Sequence, residues 1–152
     1  MFRKANAEDI DILHQLLIGE AGQGRFDPRL AEEPYRSGLR KNLNNIRKKG
    51  QRLDEDVKAQ LLVWEKDGQI SGCAINSAIV DGLGNEIWML AVFPESRGEG
   101  AGREINNALL AGLHPHVDIF ARCAPQAQVA CEMFLRRGFL PLDTTDQGVR
   151  CL

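Results

Sequence analysis

The chain lacks most of what would tie it to a metal, a membrane or an oxidising compartment. Its four cysteines, Cys73, Cys123, Cys131 and Cys151, form no C-x-x-C pair. Cys73 and Cys151 stand in strand-like apolar runs, where a reduced thiol packs as a small hydrophobe. The three histidines, His14, His114 and His116, have no ligand spacing with those cysteines, so no metal is expected. No apolar run approaches the ~20 residues of a membrane span, and residues 1–6 contain no apolar signal-peptide core. The cytosol is the expected compartment. Neither sign of charge dominates: 19 Lys and Arg against 21 Asp and Glu give a net charge of −2. Nucleic acid and anionic membranes therefore gain no support from global charge. What is present, 152 residues at 43% hydrophobic and 26% charged, is one ordinary soluble domain over residues 1–152.

The chain is organised around residues 86–103. Ile87 to Phe93 form a continuous apolar run of strand length, and Pro94, which has no N–H for a ladder, ends it. Glycines follow at alternate positions, Gly98, Gly100 and Gly102. Residues 104–113 then carry Ile105, Ala108, Leu109 and Leu113 at helical spacing. A strand, a glycine-rich turn and a helix start either make a tight connection or present bare backbone N–H groups to a phosphate. Two phosphate loops are excluded by their residues. No Gly-Lys-Ser/Thr follows, and the glycine spacing is not Gly-x-Gly-x-x-Gly.

Elsewhere the reading is coarser. Residues 2–4 suit a strand, and Asn6 with Asp9 suits a capping box. A first helix carries Ile10, Leu13, Leu16 and Leu17 on one stripe, with His14 on the solvated side. Pro34 opens a second helix over residues 35–49, striped by Tyr35, Leu39, Leu43 and Ile46 and ended by Gly50. Residues 36–52 hold seven basic side chains and no acid, either a solvated face or an anion-binding patch. Residues 57–65 and 69–80 read as a hairpin around Asp67-Gly68, and residues 81–85 as a turn. His114-Pro115 ends the helix after the glycine turn, and residues 117–122 make another strand. A helix over residues 126–137 points Val129, Met133 and either Phe134 or Ala130 inward, with Gly138 at its end. Residues 139–140 and 148–152 read as closing strands. Antiparallel strands followed by a strand–helix–strand–helix unit make an α/β sheet covered on both faces.

Two motifs resemble the GNAT superfamily of acyl-CoA-dependent N-acyltransferases. Arg97, Gly100 and Gly102 fill the family's Arg/Gln-x-x-Gly-x-Gly/Ala loop, preceded by Leu90-Ala91-Val92. Ala130-Cys131-Glu132-Met133-Phe134-Leu135-Arg136-Arg137-Gly138-Phe139 is similar to the second motif, Ala-x-x-Leu-Tyr-x-Lys-x-Gly-Phe. The resemblance implies a GNAT fold: a mixed, twisted sheet of about six to seven strands, helices on both faces and a splayed central strand pair. It implies acetyl-CoA as co-substrate and a primary amine of a small molecule, peptide or protein as acceptor. The amides of Arg97, Gly98, Glu99, Gly100, Ala101, Gly102 and Arg103 would hold the diphosphate. Leu90, Ala91 and Val92 would pair with the pantetheine arm, with a splay or bulge near Ala91 opening that edge. Phe134 would pack against the thioester, and Arg136 either reaches a CoA phosphate or stays solvated.

Amine attack needs a proton acceptor, because a lysine-like amine with a pKa near 10.4 is protonated at neutral pH. By resemblance to the histone-acetyltransferase branch, Glu86 is the candidate catalytic base; the bland alternative is a salt-bridged or edge glutamate. The sequence departs from the family at the acid position, where Phe134 replaces the usual tyrosine and Ala127 the usual asparagine. A thiol of pKa near 8.5 still leaves acceptably unprotonated. Two other readings stand beside the enzyme: a CoA-binding regulator without catalysis, and an RNA- or ribosome-contacting protein using the basic segment. A homodimer is compatible with the chain.

Overall fold

The computed structural model describes residues 1–79, 84–113 and 116–152. The expected turn at residues 81–85, except for its last two residues, and the His114-Pro115 helix end lie outside them. Seven strands form one sheet in the order β1-β2-β3-β4-β5-β7-β6: β1 (Phe2–Lys4), β2 (Ala59–Lys66), β3 (Gln69–Ala78), β4 (Asn85–Val92), β5 (Ile119–Cys123), β6 (Asp143–Thr144) and β7 (Arg150–Cys151). Every neighbouring pair is antiparallel except β4 and β5, which run parallel. The closing strands start later than their sequence suggested. Residues 139–140 are not a strand, because Phe139 instead bonds back to the Phe134 carbonyl at 3.1 Å.

Helices α1 (Ile10–Gly22) and α2 (Tyr35–Lys49) cover one face, and α3 (Ala101–Ala111) and α4 (Gln128–Arg136) the other. The first face buries Leu13, Leu17, Leu43, Val63, Ile75 and Met89; the second buries Ala74, Ile87, Ile105, Leu109 and Phe134. Burying a Leu- or Ile-sized side chain stabilises by roughly 1.5–3 kcal/mol, so these layers hold the sheet. Asn6 caps the short 3₁₀ turn before α1, accepting from the Glu8 and Asp9 amides, while the Asp9 side chain accepts from the Asn6 amide at 2.8 Å. Asp67 and Gly68, at φ of +53° and +76°, make the tight hairpin turn between β2 and β3.

Two side chains face otherwise than their periodicity suggested. His14 is buried, not solvated, with Nε2 2.8 Å from the Arg36 carbonyl oxygen. α2 packs across α1, so the buried face of α1 is wider than the stripe that meets the sheet. Val129 is 84% exposed, whereas Phe134, of the two expected alternatives, is buried together with Cys131. α4 starts at Gln128, two residues later than expected, and turns its first residues to solvent.

Candidate active site

The turn after β4 has the geometry of an anion cradle. Gly98 and Gly100 both take φ of +81°, a left-handed conformation that side chains other than glycine disfavour. Gly100 is the N-cap of α3, so Ala101, Gly102 and Arg103 belong to the helix and not to the loop. The first helical amides have no i−4 carbonyl. Among the described residues, the amides of Gly98, Glu99 and Gly100 have no hydrogen-bond partner. Arg97 braces the turn from within: its Nε donates to the Val92 carbonyl at 3.1 Å, and its Nη2 donates to Glu20 of α1. Glu20 is buried and also accepts from Arg25 at 2.9 Å. These contacts employ the Arg97 guanidinium as a strut. A cavity of about 280 Å³ lies beside it, between α1 and residues 93–97.

β4 leads into this turn with one side open. Its ladder with β5 covers Asn85, Glu86 and Ile87 and stops at the Ile87–Ala121 pair. Beyond it β5 turns to β7, pairing Arg122 with Cys151 and Cys123 with Arg150. The Phe93 amide donates to Ser71 of β3 at 2.9 Å. In an antiparallel ladder alternate residues pair with one neighbour, so Met89 and Ala91 bond toward β3 while Leu90 and Val92 direct their backbone groups to the vacated side. The bulge lies at Trp88 and not near Ala91: Ile75 faces Met89 and Asn76 faces Ile87, leaving Trp88 unopposed. The extra residue turns Trp88 and Met89 toward the same helical layer, which starts the splay three residues earlier than expected.

A cluster of charges sits where the splay begins. Glu86, 7% exposed, accepts from Arg122 Nε at 2.8 Å and Nη2 at 3.1 Å. These bonds hold the Arg122 guanidinium above its ordinary value. Arg52, 2% exposed, stacks on Trp88 with its guanidinium carbon 3.7 Å from the ring centroid. It donates to Asp54 at 3.0 and 2.5 Å and to Ser77 Oγ at 3.1 Å, and Glu55 lies at 3.5 Å. Arg52 therefore leaves the basic patch for the core. Arg40 pairs with Asp11, which depletes the patch further. Nothing in the spacing of residues 52, 54, 77, 86, 88 and 122 announced this assembly.

Compared with protein families, residues 26–139 match the acetyltransferase (GNAT) family. The chain belongs to that family. Solved structures agree in fold. An N-acetyltransferase from Staphylococcus aureus Mu50 superposes with a TM-score of 0.70 at 16% identity, over 99% of this chain and 97% of that one. A ribosomal-protein-alanine N-acetyltransferase from Brucella melitensis gives 0.71 at 17%, over 100% and 96%. A spermidine N-acetyltransferase from Vibrio cholerae, in complex with CoA and spermine, gives 0.68 at 16%, over 99% and 92%. No curated protein matches the sequence.

Besides Glu86, the sequence-chosen residues fall in three places. Leu90 and Val92 line the open edge while Ala91 bonds toward β3, and a 3₁₀ turn over Pro94–Ser96 joins the strand to residues 97–103. Phe134 is buried against Phe139, ring centroids 5.1 Å apart, on the α3/α4 side. Arg136 stands apart, largely in solvent, 3.8 Å from Glu132. The one tyrosine in the chain, Tyr35, lies half-exposed on α2, across the sheet from Phe134. Burial pushes the Cys123 thiol up to about 12, with Cys131 beside it adding to the shift, and burial does the same at Cys73. All four cysteines are free thiols. Among the described residues no group of three or more His, Cys, Asp or Glu could hold a metal, and no helix is long and apolar enough to cross a membrane.

Proposed function

We propose that this GNAT protein transfers an acetyl group from acetyl-CoA to a primary amine by direct attack. The observation that carries the reading is the open Leu90–Val92 edge of β4 running into the unpartnered amides of the glycine turn. A diphosphate joined to an extended diamide chain fits that continuous surface: left-handed glycines and a helix N-terminus for the anion, strand backbone for the amides. Arg97 holds the turn rigid through Val92 and Glu20; its own amide, expected to bind the diphosphate, already donates to the Pro94 carbonyl at 3.3 Å, so the free amides of the turn begin at Gly98. Arg103, exposed on the first turn of α3 beside Gly100, is available to a phosphate as it arrives, whereas Arg136 stands apart in solvent.

The amine nitrogen attacks the thioester carbonyl carbon, the C–S bond breaks, and the electron pair leaves on sulfur as thiolate. Glu86 takes the amine proton, directly or through one water. Arg122 fixes the carboxylate and occupies one lone pair on each oxygen, and the second lone pair on each oxygen remains for the proton. Phe134 has no proton to give, so the thiolate departs unassisted, a mismatch with neutral pH of about 2 kcal/mol. A polarising backbone N–H at Leu90 or Val92 is unaffected by that change. The absence of a hydroxyl at Phe134 also favours a second reading, a CoA-binding regulator without turnover.

One assay separates the two. Release of free thiol from acetyl-CoA is followed across a panel of polyamines, amino acids, peptide N-termini and lysine peptides. Turnover with any amine, lost in Glu86→Gln, supports the enzyme. Tight CoA binding with silence across the panel supports the regulator.

A further inference from the structure

Asn106 of α3 is 1% exposed, yet its Oδ1 has no hydrogen-bond partner. It lies in the apolar layer formed by Ile87, Ile105, Leu109 and Phe134. An unsatisfied carbonyl in such surroundings costs free energy, and native structures hold few of them. Side chains on a helix lean toward its N-terminus and cover the residue four positions back. For Asn106 that residue is Gly102, which has no side chain to fill the space. A Cβ at Gly102 would stand 3.6 Å from Val92 Cγ2 and 3.9 Å from Met133 Sδ. Gly102, one turn back on the same helix face, is therefore the nearest unfilled position to the Asn106 amide, bounded by Val92 and Met133. Val92 is also the last residue of the open β4 edge.

We propose that Asn106 Oδ1 accepts a hydrogen bond from an amide N–H of the pantetheine arm of CoA. The inference rests on the acetyltransferase reading and assigns a further binding residue to its groove. Two consequences follow that a purely structural asparagine would not have. Removing the carbonyl relieves an unsatisfied group in the free protein, so Asn106→Leu raises the melting temperature without ligand. The same change leaves the ligand N–H unpaired, so it weakens binding of CoA.

The test compares two ligands by calorimetry. CoA carries the pantetheine arm; adenosine 3′,5′-bisphosphate does not. In Asn106→Leu the CoA dissociation constant is expected to rise about tenfold while that of the bisphosphate stays unchanged. Equal losses for both ligands, undiminished CoA affinity, or a lower melting temperature for Asn106→Leu would each overturn the proposal. Should Asn106→Leu fail to fold, Asn106→Ala, which only removes atoms, carries the same two-ligand comparison. Failure of the acetyltransferase reading looks different: the wild-type protein then binds no CoA at all.

Discussion

The two ends of β4 make their contributions with different parts of the chain. At its start, Glu86 and Trp88 are engaged through side chains, held by Arg122 and Arg52 that arrive from β5 and from the loop after α2. At its end, Leu90, Val92 and the glycine turn present backbone groups, and Gly98 and Gly100 take left-handed φ values. The bulge at Trp88 separates the two regimes. Side-chain clusters fix charge and tolerate little substitution of their members, whereas backbone sites tolerate any residue that permits the conformation.

The sharpest break between the ends is expected from Glu86→Gln. If the carboxylate is the proton acceptor and the proposed CoA site lies at the far end of β4, kcat falls about 10²–10⁴-fold while the dissociation constant of CoA is unchanged. Glutamine keeps the size of the side chain and one acceptor for Arg122, so folding survives. Equal kcat for both proteins across the amine panel would remove Glu86 from the chemistry.

Arg122→Leu comes next, and it acts on stability. It strands the Glu86 carboxylate, almost buried, without its two donors. Losing one partner of a fully buried pair costs about 3–5 kcal/mol; half of the Arg122 side chain is in water, so about 2 kcal/mol is expected here. In a chain of this length that lowers the melting temperature by about 4–8 °C. A double variant, Glu86→Gln with Arg122→Leu, recovers most of the loss because no buried charge remains. A shift under 1 °C for the single variant would show the pair to be dispensable.

Gly100→Val addresses the other end. A β-branched residue at φ of +81° carries strain of about 1–3 kcal/mol, and the turn relieves it by moving its amides. The CoA dissociation constant is expected to rise at least tenfold, with kcat at saturating CoA little altered. The opposite split, normal affinity with low kcat, would place the diphosphate elsewhere.

This division explains what could be read from residues alone. The backbone-built end was legible: Pro94, three alternate glycines and a helical repeat specify strand, turn and helix within 20 residues, and two motifs identify the superfamily. The side-chain end was not. Arg122 lies 36 positions from Glu86 and Arg52 lies 25 from Ser77; spacing carries no trace of such pairs. His14 escaped for a related reason, since its burial depends on where α2 crosses α1. The family resemblance implies a splay or bulge near Ala91, and its position at Trp88 shows only when β3 is laid beside the strand, because register is not written in one strand alone.

The smallest effect distinguishes the ends by pH. Burial alone would push Asp54 upward, but hydrogen bonds from Arg52 and Asn42 outweigh it and hold its carboxyl below the usual range. A depressed value in the folded state stabilises the protein above the unfolded carboxylate value near 3.9, and that stabilisation is lost as pH falls through the lower folded value. Asp54 is 44% exposed at the side chain, so solvent screening keeps its contribution under about 1 kcal/mol. Protonation loosens Arg52 from its partner and with it the stack on Trp88. In a Trp64→Phe background, which leaves Trp88 as the single indole, emission is expected to change below pH 4 while the protein remains folded. The glycine turn exposes backbone amides, which do not titrate in that range. A bisphosphate affinity that falls in step with the Trp88 signal would mean that the two ends of β4 are coupled after all.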